Sequence, residues 1–218
     1  MTGGRPLRVL AIGAHCDDIE IGAGATILEW TETAPVEVAW VVMTSTPARD
    51  AEAHEAATHF LASACSSSIK VHDFRDGFLP YTGAAVKEAF EALRRDFFNP
   101  DVILTHHRED RHQDHRLVSE LTWNTYRDHL VLEYEIPKYD GDLTQPNSYV
   151  PIAEDRVARK WAYLNQHFVS QRDKPWFTED TFRGLMRIRG IEARAASGFA
   201  EAFAARKVVL GMPGRTPD

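Results

Sequence analysis

Apolar and polar positions along the chain fall into short blocks whose period keeps changing. Residues 8–13, Arg-Val-Leu-Ala-Ile-Gly, form an apolar run closed by a glycine, the pattern of a buried strand. Asp17-Asp18 then stand where a helix cap is expected, and Ile19, Ala23, Ile27 and Trp30 recur at helical spacing, which predicts a helix to about residue 31. Pro35 ends it, and the β-branched run 36–43 reads as a second strand. The same reading predicts a helix over 51–61, a strand over 69–74, and a helix over 83–98 stopped by Asn99-Pro100. A strand over 101–105, a helix over 114–128 and a strand over 131–136 follow.

Strands alternating with helices at this spacing indicate βαβ units, hence an α/β protein with a largely parallel sheet and helices on both faces. Ligands in such sheets bind beyond the carboxyl ends of the strands, near the switch point. Residues 137–151, rich in Pro, Gly, Asp and Asn, read as a loop that borders that edge. From Glu154 onward the pattern is helical, with Val157, Trp161 and Leu164 on one face, and 211–218 reads as a loose tail.

Composition narrows the classes. The 218 residues are 44% hydrophobic, enough for one core in one domain. A formal charge of −7 with no Lys/Arg tract argues against nucleic acid or an anionic membrane as partner. No apolar run approaches the roughly 20 residues of a membrane span, and the first six residues lack a signal pattern, so a cytoplasmic address is expected. Two cysteines, Cys16 and Cys65, without a CxxC pair indicate no disulfide scaffold.

The chemistry concentrates in two clusters. The first, Ala14-His15-Cys16-Asp17-Asp18-Ile19-Glu20, puts a histidine and two carboxylates directly after the first strand. Adjacent carboxylates at a buried strand end repel and lose solvation, and a divalent cation relieves both problems. Zinc accepts imidazole and carboxylate and leaves a position open, while a carboxylate off the metal can act as base. The alternative is structural: Asp17 or Asp18 caps the helix and His15 fills a polar corner. The second cluster, His112-Gln113-Asp114-His115, follows the fourth strand. On a helix its histidines share a face. One can ligate metal while the other, held by a carboxylate such as Asp114, stays charged to stabilise an oxyanion. The alternative is a solvated helix start. Both clusters after strands of one parallel sheet supply three ligands with acid and base to spare.

At these residues the sequence resembles the LmbE/PIG-L-like family of zinc-dependent N-deacetylases, whose members carry an AHPDD motif ending in Glu and a later HxDH or HPDH segment. The resemblance covers residues 8–135 or so. It implies a Rossmann-like sheet, zinc bound by His15, Asp18 and His115, Asp17 as general base, and His112 as oxyanion stabiliser and proton donor, oriented by Asp114. It implies that Arg49, three residues before Glu52, contacts sugar hydroxyls. The expected organisation is a single domain over 1–218: an α/β core at 7–136 with both motifs, a substrate loop and C-terminal helices at 137–210, and the tail. The expected substrate is a small N-acetylated amino sugar, and relatives suggest a homo-oligomer. Iron(II) is the alternative metal, since a His₂Asp site accepts either. Cys16 replaces the family's proline, which loosens the turn and sets a thiol near the metal.

Other patterns carry less. His54-Glu55 and His59 imitate HExxH, but at five apart the histidines lie about 140° around a helix and cannot share a metal. Gly22 and Gly24 lie inside the predicted helix rather than in a phosphate-binding turn, and read as allowing close packing. His106 and His107 either line the site or end the strand. Trp176 and Phe177 either cover a sugar face or pack in the core. The rival readings are a metal-dependent esterase or phosphoesterase, and a non-catalytic metal- or nucleotide-binding module.

Overall fold

The computed structural model describes residues 4–96 and 99–209. Its elements run β1 (Leu7–Gly13), α1 (Asp18–Thr33), β2 (Val36–Thr44), α2 (Pro47–Phe60), β3 (Ser66–Phe74), α3 (Gly83–Asp96), β4 (Val102–His106), α4 (Gln113–Thr125), β5 (Leu130–Tyr134), β6 (Ser148–Pro151), α5 (Glu154–His167), α6 (Glu179–Glu192) and β7 (Ala200–Ala205). Short 3-10 turns at Leu79–Thr82 and Val169–Gln171 complete them.

One seven-stranded sheet has the order β3-β2-β1-β4-β5-β7-β6. β1 to β5 are mutually parallel, and β7 runs antiparallel to both β5 and β6. The order reverses between β1 and β4, so a crevice opens beyond their carboxyl ends. Burial on both faces explains why β1, β2 and β4 are continuous apolar runs. One apolar cluster includes Trp40, Phe60 and Phe203, and a second includes Leu10, Ile103 and Phe90. The mostly parallel α/β sheet expected from the sequence is present.

Two departures concern the C-terminal third. Residues 148–151, expected to be loop, form β6, and residues 200–205, expected to be helical, form β7. The sequence Ala-Glu-Ala-Phe-Ala-Ala favours helix by propensity. Pairing with β5 at Leu132↔Ala205 and Tyr134↔Phe203 overrides it, and its small side chains fit a strand buried on both faces. α2 also starts earlier than expected, because Thr46 caps it through Arg49 N and Pro47 opens it. The end of the helix expected over 83–98, and the tail at 211–218, fall outside the described residues.

α1 is fixed from below by a buried ion pair. Lys160 Nζ of α5 donates to Glu201 Oε1 of β7 and to the Ile21 carbonyl, each at 2.6 Å. Glu201 in turn accepts from Ala25 N at 3.1 Å and Thr26 N at 2.7 Å. Gly22 lets α1 approach β5, since a Cβ there would lie 2.3 Å from Tyr134 Cδ2. Gly24 faces α2, where a Cβ would meet Phe60 at 2.7 Å. These contacts hold the helix whose first turn carries Asp18.

Candidate active site

Because β1 and β4 are neighbours at the reversal, the loops that follow them meet. His15 Nδ1 and His115 Nε2 face each other at 3.0 Å. Asp18 completes the group, with Oδ2 3.3 Å from His15 Nδ1 and Oδ1 3.4 Å from His115 Nε2. All three side chains are buried. Zinc bonds of about 2.0–2.2 Å in a tetrahedral arrangement put donors roughly 3.3 Å apart, the spacing seen among these atoms.

The far nitrogen of each imidazole faces carboxylate. His15 Nε2 lies 3.1 Å from Asp76 Oδ1 and 3.3 Å from Asp114 Oδ2, and His115 Nδ1 lies 2.9 Å from Asp110 Oδ2. With protons donated on those sides, the two facing nitrogens present lone pairs toward each other and toward Asp18, an arrangement that calls for a cation. A proton can serve in its place. Burial pushes His15 down, but Asp18, Asp114 and Asp76 outweigh it and hold it well above its ordinary range. His115 is likewise raised, by Asp18 and Asp110 against burial. Burial pushes Asp18 up, but His115, His106 and His15 hold it well below the usual carboxylate range.

His106, Asp18 and His115 also converge, with His106 Nε2 3.1 Å from Asp18 Oδ2. Its Nε2 accepts from Ala14 N at 2.9 Å, and its ring stacks on His115 with centroids 3.9 Å apart. Burial and the neighbouring His115 push it down to about 4, so a neutral ring lies against His115. Tyr134 Oη, which donates to the Ile12 carbonyl at 2.7 Å, closes that side.

Asp17 stands at the N-cap position of α1, yet its side chain makes no capping bond. It turns to Arg49, whose Nη2 donates to Oδ1 at 2.8 Å. Burial outweighs the cation, and the Asp17 carboxyl is raised, which makes it the better proton acceptor. Arg49 is therefore ion-paired beside Asp17 and the rim residue Asp76. Glu52 lies elsewhere, holding Ser170 N and Oγ at 3.0 and 2.6 Å.

The second cluster differs from expectation in one pairing. Asp114 does not touch the His112 ring with its carboxylate. That carboxylate accepts from Gly77 N at 2.7 Å and Leu79 N at 3.1 Å, and reaches His15 Nε2. His112 is instead the N-cap of α4, its Nδ1 accepting from Asp114 N at 3.3 Å. Burial, His115 and His15 lower its pKa. With Nδ1 accepting, Nε2 is the ring nitrogen that carries a proton. The Asp114–His112 pairing implied by the resemblance is not made among the described residues, because the Asp114 carboxylate is engaged by Gly77, Leu79 and His15.

Two further residues of the first motif face inward. Cys16 is fully buried, its Sγ donating to the Thr44 carbonyl at 3.3 Å, and burial pushes the thiol up to about 12. It is packed in the core. Glu20 is also fully buried, neither carboxylate oxygen has a hydrogen-bond partner among the described residues, and burial holds its carboxyl well above the usual range.

His15, Asp17, Asp18, Arg49, His112 and His115 floor an open cleft of about 280 Å³. Lys138, Tyr139 and Asp140 form one wall, and Gln171, Lys174 and Trp176 another. Trp176 thus reaches the cleft, whereas Phe177 packs in the core against Trp161 and Phe182. The sequence gives no sign of the roles of Asp76 and Asp110, and places Lys138 only within the substrate loop. Asp76-Gly77 reads as an ordinary turn, and Asp110 is one charge among Arg108, Glu109, Arg111 and Arg116. The HExxH-like pair on α2 stays out of the site, with His54 and His59 bonded to backbone carbonyls one turn back. Among the described residues no helix is long and apolar enough to cross a membrane.

Comparison with known proteins places this geometry. The family described as "PIG-L: GlcNAc-PI de-N-acetylase" matches residues 10–126, more than half of the chain. The uncharacterized deacetylase YaiS of Escherichia coli K12 is 29% identical over 167 residues, covering 73% of this chain and 89% of that protein. The N,N'-diacetylchitobiose deacetylase of Pyrococcus horikoshii superposes with a TM-score of 0.69 at 22% identity, over 90% of this chain and 82% of its own. GalB, the 4-carboxy-2-hydroxymuconate hydratase of Pseudomonas putida KT2440, superposes with a TM-score of 0.72 at 17% identity, over 94% and 98%. The fold therefore carries more than one reaction, and the site must choose among them.

Proposed function

The chain belongs to the PIG-L deacetylase family, and on that premise we propose that it is a zinc-dependent hydrolase removing an N-acetyl or other N-acyl group from an amino sugar or related glycoside. The observation that carries this reading is the facing pair of His15 Nδ1 and His115 Nε2, each ring backed by carboxylate, with Asp18 between them. His15, Asp18 and His115 would hold the metal. Iron(II) fits the same donors. Bound there, the metal would supply Lewis acidity toward an amide carbonyl and toward water.

The remaining chemistry belongs to side chains. Asp17, raised by burial and held by Arg49, accepts the proton that water gives up as it attacks the acyl carbon. His112 Nε2–H, held by its N-cap bond, donates to the developing oxyanion. The proton taken by Asp17 is then available to the leaving amine. The cleft walls, with Trp176 and Tyr139 among polar groups, suit a sugar ring and its aglycone. The chitobiose deacetylase of the same fold is a precedent for such a substrate.

The test measures bound metal together with acetate released from N-acetylglucosamine and N,N'-diacetylchitobiose, for wild type and Asp17→Ala. Aryl esters, phosphate esters and an unsaturated hydroxy acid serve as competitors for the reaction class. One bound metal ion with acetate released by the wild type alone is expected. Metal binding with turnover of an ester or hydration of the unsaturated acid, and no amide cleavage, would refute the proposed bond.

A further inference from the structure

The cleft wall contributed by residues 137–147 has no regular secondary structure, so something else must hold it. Lys138 does so through two buried carboxylates. Its Nζ lies 3.0 Å from Asp110 Oδ2 and 2.5 Å from Asp142 Oδ2. Side-chain exposure is 10% for Lys138, 4% for Asp110 and 6% for Asp142, so the three charges are shielded from water together. Asp142 also accepts from Arg111 N at 2.7 Å, which ties the far end of the segment to the turn before α4.

Asp110 is the anchor on the other side. Its Oδ2 faces His115 Nδ1 at 2.9 Å, and its Oδ1 accepts from His112 N at 2.8 Å. One carboxylate thus meets the ring of a proposed metal ligand, the backbone of the proposed oxyanion donor, and the cation that holds the cleft wall. Tyr139 and Asp140, adjacent to Lys138, are exposed and face the cleft. Their positions follow from where Lys138 is pinned.

We infer that Lys138 is a positioning residue for substrate binding: by bridging Asp110 and Asp142 it fixes the Tyr139–Asp140 wall at a set distance from the metal ligands. The inference rests on the deacetylase reading for its kinetic consequence, but not for its structural one. An ammonium shared by two buried carboxylates costs most to remove when both are left without a counter-charge. The segment then swings out to solvate Asp142, and the wall goes with it. The direct ligands of the site stay, because Asp110 keeps its bonds to His115 and His112.

The test compares Lys138→Met, Lys138→Arg and Asp142→Ala with wild type in metal-loaded protein. Amide hydrogen exchange over 139–145 is expected to speed up at least about tenfold in Lys138→Met and Asp142→Ala, as a locally opened segment should. KM for the acylated sugar should rise about tenfold in both, with kcat within about threefold and metal retained. Lys138→Arg should preserve most of both. Asp142→Ala matters because Asp142 does not line the cleft, so a raised KM there cannot come from a lost substrate contact. Wild-type exchange and KM in Asp142→Ala would overturn the inference. So would metal loss with a collapsed kcat and unchanged KM in Lys138→Met. If the wild type cleaves no acylated amine, the functional reading fails while the exchange comparison still decides the role of Lys138.

Discussion

Arg49 points its guanidinium at Asp17, Nη2 to Oδ1 at 2.8 Å, and so occupies the side of that carboxylate which a helix cap would otherwise use. The ion pair is largely buried, with side-chain exposures of 19% and 8%. A sugar contact was the expectation from sequence. The structure pairs Arg49 with Asp17, because the start of α2 lies beside the start of α1. Arg49 orients Asp17 against the repulsion of Asp18, and it also lines the cleft.

Removing that orientation should cost rate while the metal stays. Arg49→Met is expected to lower kcat/KM about 100-fold, the loss typical of a misplaced reacting group. Arg49→Lys should recover only part, since an ammonium cannot bridge Asp17 and Asp76 as a planar fork does. Steady-state kinetics with metal content measured on the same samples check this. A variant within threefold of wild type would remove Arg49 from the account.

Asp114 offers a clean separation of two roles. Its carboxylate accepts from Gly77 N and Leu79 N and reaches His15 Nε2, not the His112 ring. Asp114→Asn replaces an acceptor oxygen with a donor in a site already crowded with donors. Metal affinity should therefore fall about 10- to 100-fold, as for other lost partners of ligating histidines. Chelator competition measures it. Unchanged affinity with a reduced kcat would instead assign Asp114 to His112.

What the sequence could and could not reveal follows from the range of the interactions. β1 to β5 and both clusters are readable because apolar runs and motif spacing are local. The sheet's reversal at β1 and β4 then brings His15, Asp18 and His115 together. Asp76, Asp110 and Lys138 were not readable, since an acid in a turn or among alternating charges has no local mark of burial. Their roles arise only when the fold closes, bringing Asp76 onto His15 and Lys138 onto Asp110. β7 was hidden for the opposite reason: its alanines favour helix, and only the edge of β5 makes them a strand. The tail and the end of the helix expected over 83–98 fall outside the described residues.

His167 gives stability a pH dependence away from the site. The ring is buried between α5 and α2, tilted at 35° against His59 with centroids 4.5 Å apart. Tyr163 lies beside it, and Glu55 Oε2 is 3.7 Å from Nδ1. Nε2 has no hydrogen-bond partner among the described residues. Burial and His59 lower its pKa more than Glu55 raises it. A histidine lowered in the folded state takes up a proton more readily when unfolded. Its contribution is therefore complete above the unfolded value near 6.5 and is lost as pH falls through the folded value. The urea midpoint of wild type should drop more steeply from pH 7 to pH 5 than that of His167→Gln. Parallel pH profiles for the two proteins would contradict this.

The two glycines Gly22 and Gly184 should respond to alanine with opposite signs. Both sit within helices, where alanine is intrinsically better by about 1 kcal/mol. At Gly184 of α6 a Cβ meets nothing within 4 Å, so Gly184→Ala should stabilise by about that amount. At Gly22 the same Cβ would lie 2.3 Å from Tyr134 Cδ2 and 2.6 Å from Cγ. Tyr134 is fully buried and tied through Oη to the Ile12 carbonyl, so it cannot rotate away without breaking that bond. α1 must move instead, against the bonds from Lys160 and Glu201. Overpacking of this kind costs about 1–3 kcal/mol and exceeds the propensity gain. Because Gly22 lies one turn from Asp18, the shift also carries a ligand away from His15 and His115. Gly22→Ala should thus lower both the urea midpoint and metal affinity, while Gly184→Ala raises the first and leaves the second alone. Equal midpoint shifts in the two variants would mean that α1 does not pack on Tyr134 as described.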